Sequence, residues 1–139
     1  MKISTRGRYS LRLLVDLAEN SDGFVTLKEV SERQDISRKY LEQIIPFLNR
    51  SKLLISNKGH GGGYKLARPA SEITVREVLE SAEGSLAPVS CMEDDINQCD
   101  KCEICKTLPV YKGLYKVVTD YLGSITIQDV SDGKDIMQV

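Results

Sequence analysis

The glycine-rich stretch at residues 59–63 constrains the fold of this 139-residue chain more than any other feature. Four glycines occupy these five positions, and they lie between two short apolar runs, Leu53–Asn57 and Tyr64–Leu66. Two such runs joined by glycines predict a β-hairpin, because glycine adopts tight-turn conformations and lets the backbone approach a partner closely. We therefore expect a small hairpin at this point.

Three helical patterns precede the hairpin. The first follows Tyr9 and ends near residue 20. Thr26 and Glu29 have the spacing of a capping box, which predicts the start of a second helix. Ser37 is a suitable N-cap for a third helix, in which Pro46 should produce a bend. Three short helices followed by a hairpin is the order of a winged helix-turn-helix.

A second capping box at Thr74 and Glu77 predicts a fourth helix through Val75, Val78 and Leu79 to about Ala82. A longer helical pattern follows the cysteines. Its apolar residues recur in steps of three and four, like the heptad seam of a coiled coil. The seam consists of Leu108, Tyr111, Tyr115, Val118, Leu122 and Ile125. We interpret it as a dimerisation helix, although packing within the chain would produce the same pattern. A short packing helix should follow from Thr126.

Charge is divided unevenly along the chain. Residues 1–68 hold 13 Lys and Arg against 7 Asp and Glu, a net of +6. Residues 69–139 hold 6 against 13, a net of −7. The overall charge of −1 therefore conceals a basic half that suits a nucleic-acid partner.

The start of the third helix carries side chains that can read base edges. Arg pairs with guanine, Gln with adenine, and Glu accepts a hydrogen bond from the cytosine amino group. The candidate DNA-binding residues there are Ser37, Arg38, Lys39, Tyr40, Glu42 and Gln43. In the hairpin, Lys58 suits a minor groove and His60 suits a phosphate contact. A solvated basic face on a small helical domain is the alternative.

Four cysteines lie close together as Cys91-x7-Cys99-x2-Cys102-x2-Cys105. We expect a cytoplasmic protein, because the chain shows neither a membrane-spanning apolar run nor a signal-peptide pattern. Disulfides are rare in that compartment. Four thiolates there suit an iron–sulfur cluster, a zinc site or bare redox thiols, and the chemistry leaves all three open. The last three cysteines are similar to part of the bacterial ferredoxin pattern.

Several motifs together resemble the Rrf-two family of bacterial regulators, in its iron–sulfur branch. They are Ile3-Ser4-Thr5-Arg6-Gly7-Arg8-Tyr9, Ser31-Glu32-Arg33-Gln34, Tyr40-Leu41-Glu42-Gln43 and Gly59-x-Gly-Gly-Gly-Tyr64. The resemblance covers nearly the whole chain. It implies a homodimeric transcription factor, a repressor or an activator, that binds a pseudo-palindromic double-stranded operator. It also implies that Glu42 reads a base and that Lys58 is the cation of the wing.

The resemblance further implies a [2Fe-2S] cluster, with Cys91, Cys99 and Cys105 matching the three cysteines of the family. Its cluster regulators add a His three residues after the last Cys, where this chain has Leu108. Cys102 is therefore the candidate for the fourth ligand. Ligation by four cysteines would also suit a [4Fe-4S] cluster.

The predicted fold class is mainly α with a small β-hairpin wing, a winged helix-turn-helix plus a long dimerisation helix. We expect a DNA-binding domain at residues 1–83, a cysteine-rich cluster-binding loop at 84–106, and the dimerisation helix with a C-terminal packing segment at 107–139. The alternatives are a cluster-free or zinc/thiol-redox regulator of cysteine or sulfur metabolism, and a small electron carrier. We expect no catalysis, because a single His in the wing offers no nucleophile–base pair. We also expect neither a small-molecule substrate nor a membrane partner.

Overall fold

The computed structural model describes residues 1–94, 100–101 and 103–136. This part of the chain contains six α-helices and one two-stranded antiparallel sheet. The elements are α1 (Thr5–Glu19), α2 (Leu27–Gln34), α3 (Arg38–Arg50), β1 (Leu54–Asn57), β2 (Gly63–Leu66), α4 (Val75–Glu83), α5 (Leu108–Gly123) and α6 (Ile127–Ser131). The order of three helices and a hairpin confirms the predicted winged helix-turn-helix. Of the described helices, none has both the length and the apolar character to cross a membrane.

The main core joins helices from both ends of the chain. Eleven large or branched apolar side chains of the described core are at most 2% exposed: Leu13, Leu14, Leu17, Val30, Leu41, Ile44, Leu48, Leu53, Ile73, Val78 and Ile127. Burying such a side chain contributes about 1.5–3 kcal/mol. Because Ile127 belongs to α6, the C-terminal helix completes the core of the helix-turn-helix region.

Capping boxes set the starts of three helices. In each box a Thr hydroxyl oxygen accepts from a backbone N–H three residues on, and the acidic side chain there accepts from the Thr backbone N–H. The boxes pair Thr26 with Glu29, Thr74 with Glu77, and Thr126 with Asp129. The first two confirm the sequence prediction. The third, at the start of α6, was missed because it carries Asp where the pattern expects Glu or Gln.

α1 begins at Thr5, earlier than the predicted start after Tyr9. Ser4 caps it, since the side-chain oxygen of Ser4 accepts from the backbone N–H of Gly7 at 3.0 Å. Glu83, at the end of α4, accepts from the backbone N–H of Ser4 at 2.9 Å. A Cβ atom at Gly7 would collide with the Glu83 carboxylate. Glycine at this position therefore leaves room for the Glu83 side chain to reach Ser4.

α5 packs on α4 around a second, smaller core. The buried residues of that core are Val75, Leu79, Leu86 and Ile125, with Tyr115, Leu122, Val130 and Ile136 partly buried beside them. Tyr115, Leu122 and Ile125 of the heptad-like seam thus pack within the chain, whereas dimerisation through α5 stays a prediction. α5 ends at Gly123, so Ile125 lies beyond the helix.

A different face of α5 carries an exposed apolar stripe. Its side chains are Val110 (67% exposed), Leu114 (42%), Val117 (66%) and Tyr121 (42%). We call these four residues the outer stripe. Packing within the described chain leaves the outer stripe accessible to another molecule.

Candidate nucleic-acid interface and cysteine segment

The turn between α2 and α3 holds the start of α3 at the surface. Asp35 ends α2 in the left-handed conformation, with φ of 54°, and the buried side chain of Ile36 anchors the turn in the core. The hydroxyl oxygen of Ser37 then accepts from the backbone N–H of Tyr40 at 3.1 Å. Ser37 is therefore the N-cap of α3, as predicted.

α3 separates apolar and polar side chains onto opposite faces. The inner face buries Leu41, Ile44, Ile45 and Leu48. The predicted DNA-binding residues Ser37, Arg38, Lys39, Glu42 and Gln43 are exposed, and Tyr40 is half-buried. α3 continues as one helix from Arg38 through Pro46 to Arg50. The structure therefore leaves the candidate base-reading side chains accessible along one helix face.

The wing is an antiparallel hairpin fastened to the segment before α2. Val25 and Tyr64 exchange two backbone hydrogen bonds, each of 2.8 Å. Gly63 has a φ of 143°, and a Cβ atom there would collide with the Val25 carbonyl oxygen. Glycine is therefore required for this close approach. Lys58 and His60 lie exposed in the loop between β1 and β2.

Aromatic contacts hold α3 against α1 at both ends of α3. Tyr40, near its start, lies edge-on to Tyr9 with 5.2 Å between ring centroids. Near its end, the Phe47 ring is contacted by the guanidinium groups of Arg6 at 4.2 Å and Arg50 at 4.8 Å. Sequence reasoning missed these contacts, because a helical spacing does not say which side chains of another helix it will meet.

Two of the four predicted cluster ligands, Cys91 and Cys105, are in the described residues, where both are half-buried free thiols. Cys99 and Cys102 lie outside the described residues. Among residues 1–94, 100–101 and 103–136, no three His, Cys, Asp or Glu side chains form a group that could hold a metal ion.

Cys105 lies just before α5, in surroundings that favour its thiolate. Its sulfur is 3.3 Å from the hydroxyl oxygen of Thr107. That hydroxyl and the backbone N–H groups of Thr107 and Leu108 lower the pKa of the Cys105 thiol below its usual value. Since the thiolate is the form that binds metal, Cys105 fits the chemistry of an iron or zinc ligand.

Leu108 occupies the position at which the sequence resemblance implies a His in the cluster regulators of the family. Its side chain is 6% exposed and begins α5. An apolar side chain at this position supplies packing and offers no ligand atom. A cluster in this chain therefore needs a different fourth ligand, for which Cys102 remains the prediction.

Comparison with known proteins covers almost the whole chain. The family model Rrf2, described as an iron-dependent transcriptional regulator, matches residues 3–133. An HTH-type transcriptional regulator of Neisseria meningitidis serogroup A is 38% identical over 136 residues, which are 97% of this chain and 90% of that protein. IscR of Pectobacterium atrosepticum is 34% identical over 140 residues, covering 100% of this chain and 84% of the relative.

Solved structures show the same fold. The structure of T. potens IscR has a TM-score of 0.77 and 34% identity, covering 100% of this chain and 92% of its own. CymR, the global cysteine regulator of B. subtilis, has a TM-score of 0.78 and 28% identity, covering 97% of this chain and 99% of its own. The architecture is thus shared by IscR and by a cysteine regulator, so the fold by itself does not identify the signal to which this chain responds.

Proposed function

Because this chain belongs to the Rrf2 family of transcriptional regulators, we propose that it is a homodimeric DNA-binding regulator that senses iron–sulfur status through a cysteine-ligated cluster. The observation that carries the DNA-binding part is the exposed polar face of α3, which starts at a capped turn and is backed by buried apolar residues. A rigid helix with accessible polar side chains is what the major groove admits.

The predicted residues take different roles in this proposal. Arg38 pairs with guanine, Gln43 with adenine, and Glu42 accepts from the cytosine amino group. Lys58 enters the minor groove from the wing. The remaining predicted residues contact the sugar–phosphate backbone, which fixes the position of α3 without reading sequence. These are Ser37, Lys39, Tyr40 and His60.

A second copy of the chain covers the outer stripe in the proposed dimer. The four side chains of the stripe are spaced by four, three and four residues, the repeat of a coiled-coil seam. Their exposure on one helix face is typical of a protein interface. A two-fold axis beside α5 would present two copies of α3 to the two halves of a pseudo-palindromic operator.

The cluster ligands in the proposal are Cys91, Cys99, Cys102 and Cys105, and a bound cluster supplies an iron- and redox-responsive centre. A [2Fe-2S] cluster follows from the family resemblance, and four cysteines also suit [4Fe-4S]. The lowered pKa of the Cys105 thiol, beside the Thr107 hydroxyl, supports ligation at that residue. IscR relatives support iron–sulfur sensing, whereas the CymR neighbour fits a cluster-free regulator of cysteine metabolism.

The ends of the cysteine segment connect it to the rest of the protein. Leu86, before Cys91, is buried in the second core, and Leu108, after Cys105, is buried at the start of α5. That core joins α4 to α5. In the proposal, a rearrangement of the cysteine segment between Leu86 and Leu108 therefore shifts α5, with its outer stripe, relative to the helix-turn-helix. Regulation requires that such a change alter DNA affinity between the two states.

Anaerobically purified full-length protein tests the proposal. We expect visible absorption from the cluster, iron and sulfide on analysis, and binding to duplexes selected from a random pool that weakens steeply with salt. Cys105→Ser should remove the visible absorption, and Ser90→Ala, a matched change in the same segment, should retain it. A colourless protein that contains zinc or no metal would contradict cluster sensing. A protein without salt-dependent duplex binding would contradict the DNA-binding role.

A further inference from the structure

Arg12 of α1 lies beside the turn of the helix-turn-helix, although it is not among the predicted DNA-binding residues. Its Nε donates to the side-chain oxygen of Gln34 at 3.3 Å, and its Nη2 donates to the Gln34 backbone carbonyl oxygen. The guanidinium carbon lies 5.3 Å from the centroid of the Tyr9 ring. The side chain is nevertheless exposed. Since a guanidinium has five N–H donors, Arg12 retains donors for an anion while it is held in place.

A buried carboxylate fixes the orientation of Gln34. The Nε2 of Gln34 donates to Asp16 Oδ2 at 3.0 Å, and Asp16 is 1% exposed. A carboxylate only accepts hydrogen bonds, so the amide nitrogen of Gln34 must face Asp16 and its oxygen must face Arg12. Asp16 is held in turn by Arg33, which donates to both carboxylate oxygens at 3.0 and 2.8 Å. Arg12 is thus oriented by a chain of contacts that ends in the protein interior.

The same contacts place Arg12 beside the turn that leads into α3. Gln34 is the last residue of α2, directly before the turn. Tyr9, beneath the guanidinium of Arg12, contacts the ring of Tyr40 in the first turn of α3. Side chains that flank the start of a recognition helix face the phosphates beside the bases that the helix reads. An exposed arginine there is already ordered, so its contact with phosphate costs less side-chain entropy than a free arginine would lose.

We propose that Arg12 is a further DNA-binding residue, a preorganised contact to a backbone phosphate beside α3, and that Gln34 is its positioning residue. The inference rests on the proposed DNA-binding function and extends the interface from α3 and the wing to α1. Stability is not the reason for the arrangement. The Asp16–Arg33 pair already joins α1 to α2, and exposed polar contacts such as those of Arg12 contribute little to folding.

Arg12→Gln provides the main test, measured with the full-length protein on its selected operator and on an unrelated duplex over a range of salt concentrations. We expect affinity for both duplexes to fall by a similar factor and the salt dependence to decrease by about one phosphate contact. The melting temperature should not change. Arg76→Gln is the matched control. It removes the same charge from α4, where Arg76 is paired with Glu80 at 2.7 Å, and it should leave the salt dependence unchanged.

A double-mutant cycle tests the role of Gln34. Gln34→Met removes the amide without changing charge, and we expect it to weaken duplex binding by less than Arg12→Gln does. In the Arg12→Gln background the same substitution should have no further effect, because Gln34 acts through Arg12. Additive losses would show that Gln34 acts elsewhere and would overturn its positioning role.

The outcomes separate this inference from the function on which it rests. If the wild-type protein binds duplexes with a steep salt dependence and Arg12→Gln retains that dependence, the phosphate contact is absent and the inference is overturned, while the proposed function stands. If the wild-type protein shows no salt-dependent binding, the proposed function fails and the inference fails with it.

Discussion

α3 and α5 are helices of similar length, 13 and 16 residues, that use their outer faces in opposite ways. α3 buries four large apolar side chains and exposes charged and amide groups. α5 buries little besides Leu108 and Thr119, and exposes the apolar outer stripe. The chemistry of each exposed face indicates the partner that it suits: a polar, hydrogen-bonding surface for α3 and a second apolar surface for α5.

The two helices also begin differently. Ser37 caps α3 with its side chain, whereas Thr107 makes no side-chain capping bond to α5. The hydroxyl of Thr107 contacts the sulfur of Cys105 instead. The hydroxyl before α3 therefore caps its helix, whereas the hydroxyl before α5 lies against a thiol.

Ile44→Ala should produce the largest effect, since it removes a fully buried side chain from the inner face of α3. We expect a loss of about 2–5 kcal/mol in the free energy of unfolding, measured with denaturant. Gln43→Ala, at the preceding residue on the exposed face, should change the free energy of unfolding by less than about 0.5 kcal/mol. Equal losses for the two variants would contradict the assignment of the two faces.

Val117→Asp should weaken the proposed dimer at least about tenfold, because a carboxylate would be buried in an apolar interface. Sedimentation equilibrium measures the dissociation constant. Lys112→Asp places the same side chain on α5 outside the outer stripe, at an exposed position, and should leave association unchanged. Dimers of wild-type affinity in Val117→Asp would show that the outer stripe is not the interface.

Glu42→Ala should relax base preference at one operator position by about 1–3 kcal/mol, because a base-reading contact is lost. Selection from random duplexes measures this preference. Lys39→Ala is the comparison on the same helix, and it should weaken binding to all sequences alike. An unchanged preference in Glu42→Ala would remove Glu42 from the base-reading residues.

Ser37→Ala should have the smallest effect, a loss of about 1 kcal/mol in the free energy of unfolding, because one N-terminal N–H of α3 loses its acceptor. Thr107→Ala should cost no capping energy in α5. It should instead raise the pKa of the Cys105 thiol towards its usual value, which a thiolate titration of the metal-free protein measures. Similar losses of stability in the two variants would contradict the difference between the helix starts.

Features that depend on near neighbours in the chain could be predicted from the sequence. Two capping boxes, the Ser37 cap and the glycine-rich hairpin were all confirmed, because each arises from residues a few positions apart. The early start of α1 could not be predicted, since Glu83 reaches Ser4 from the other end of the winged-helix region. The contact between Arg12 and Gln34 could not be predicted for the same reason. The Gln34 side chain is oriented by Asp16, which lies in a different helix.

The sequence by itself determined the order of the helices, the hairpin between them, and the residue types that face outward at the start of α3. The tertiary structure decided which apolar face of α5 is covered. Helical spacing shows that residues share a face, but only the position of α4 decides that the face with Tyr115 and Leu122 is packed within the chain and the face with Val117 is left exposed. The physical reason is that the spacing of residues within one helix sets which side chains share a face, whereas contact with a second helix sets which face is buried.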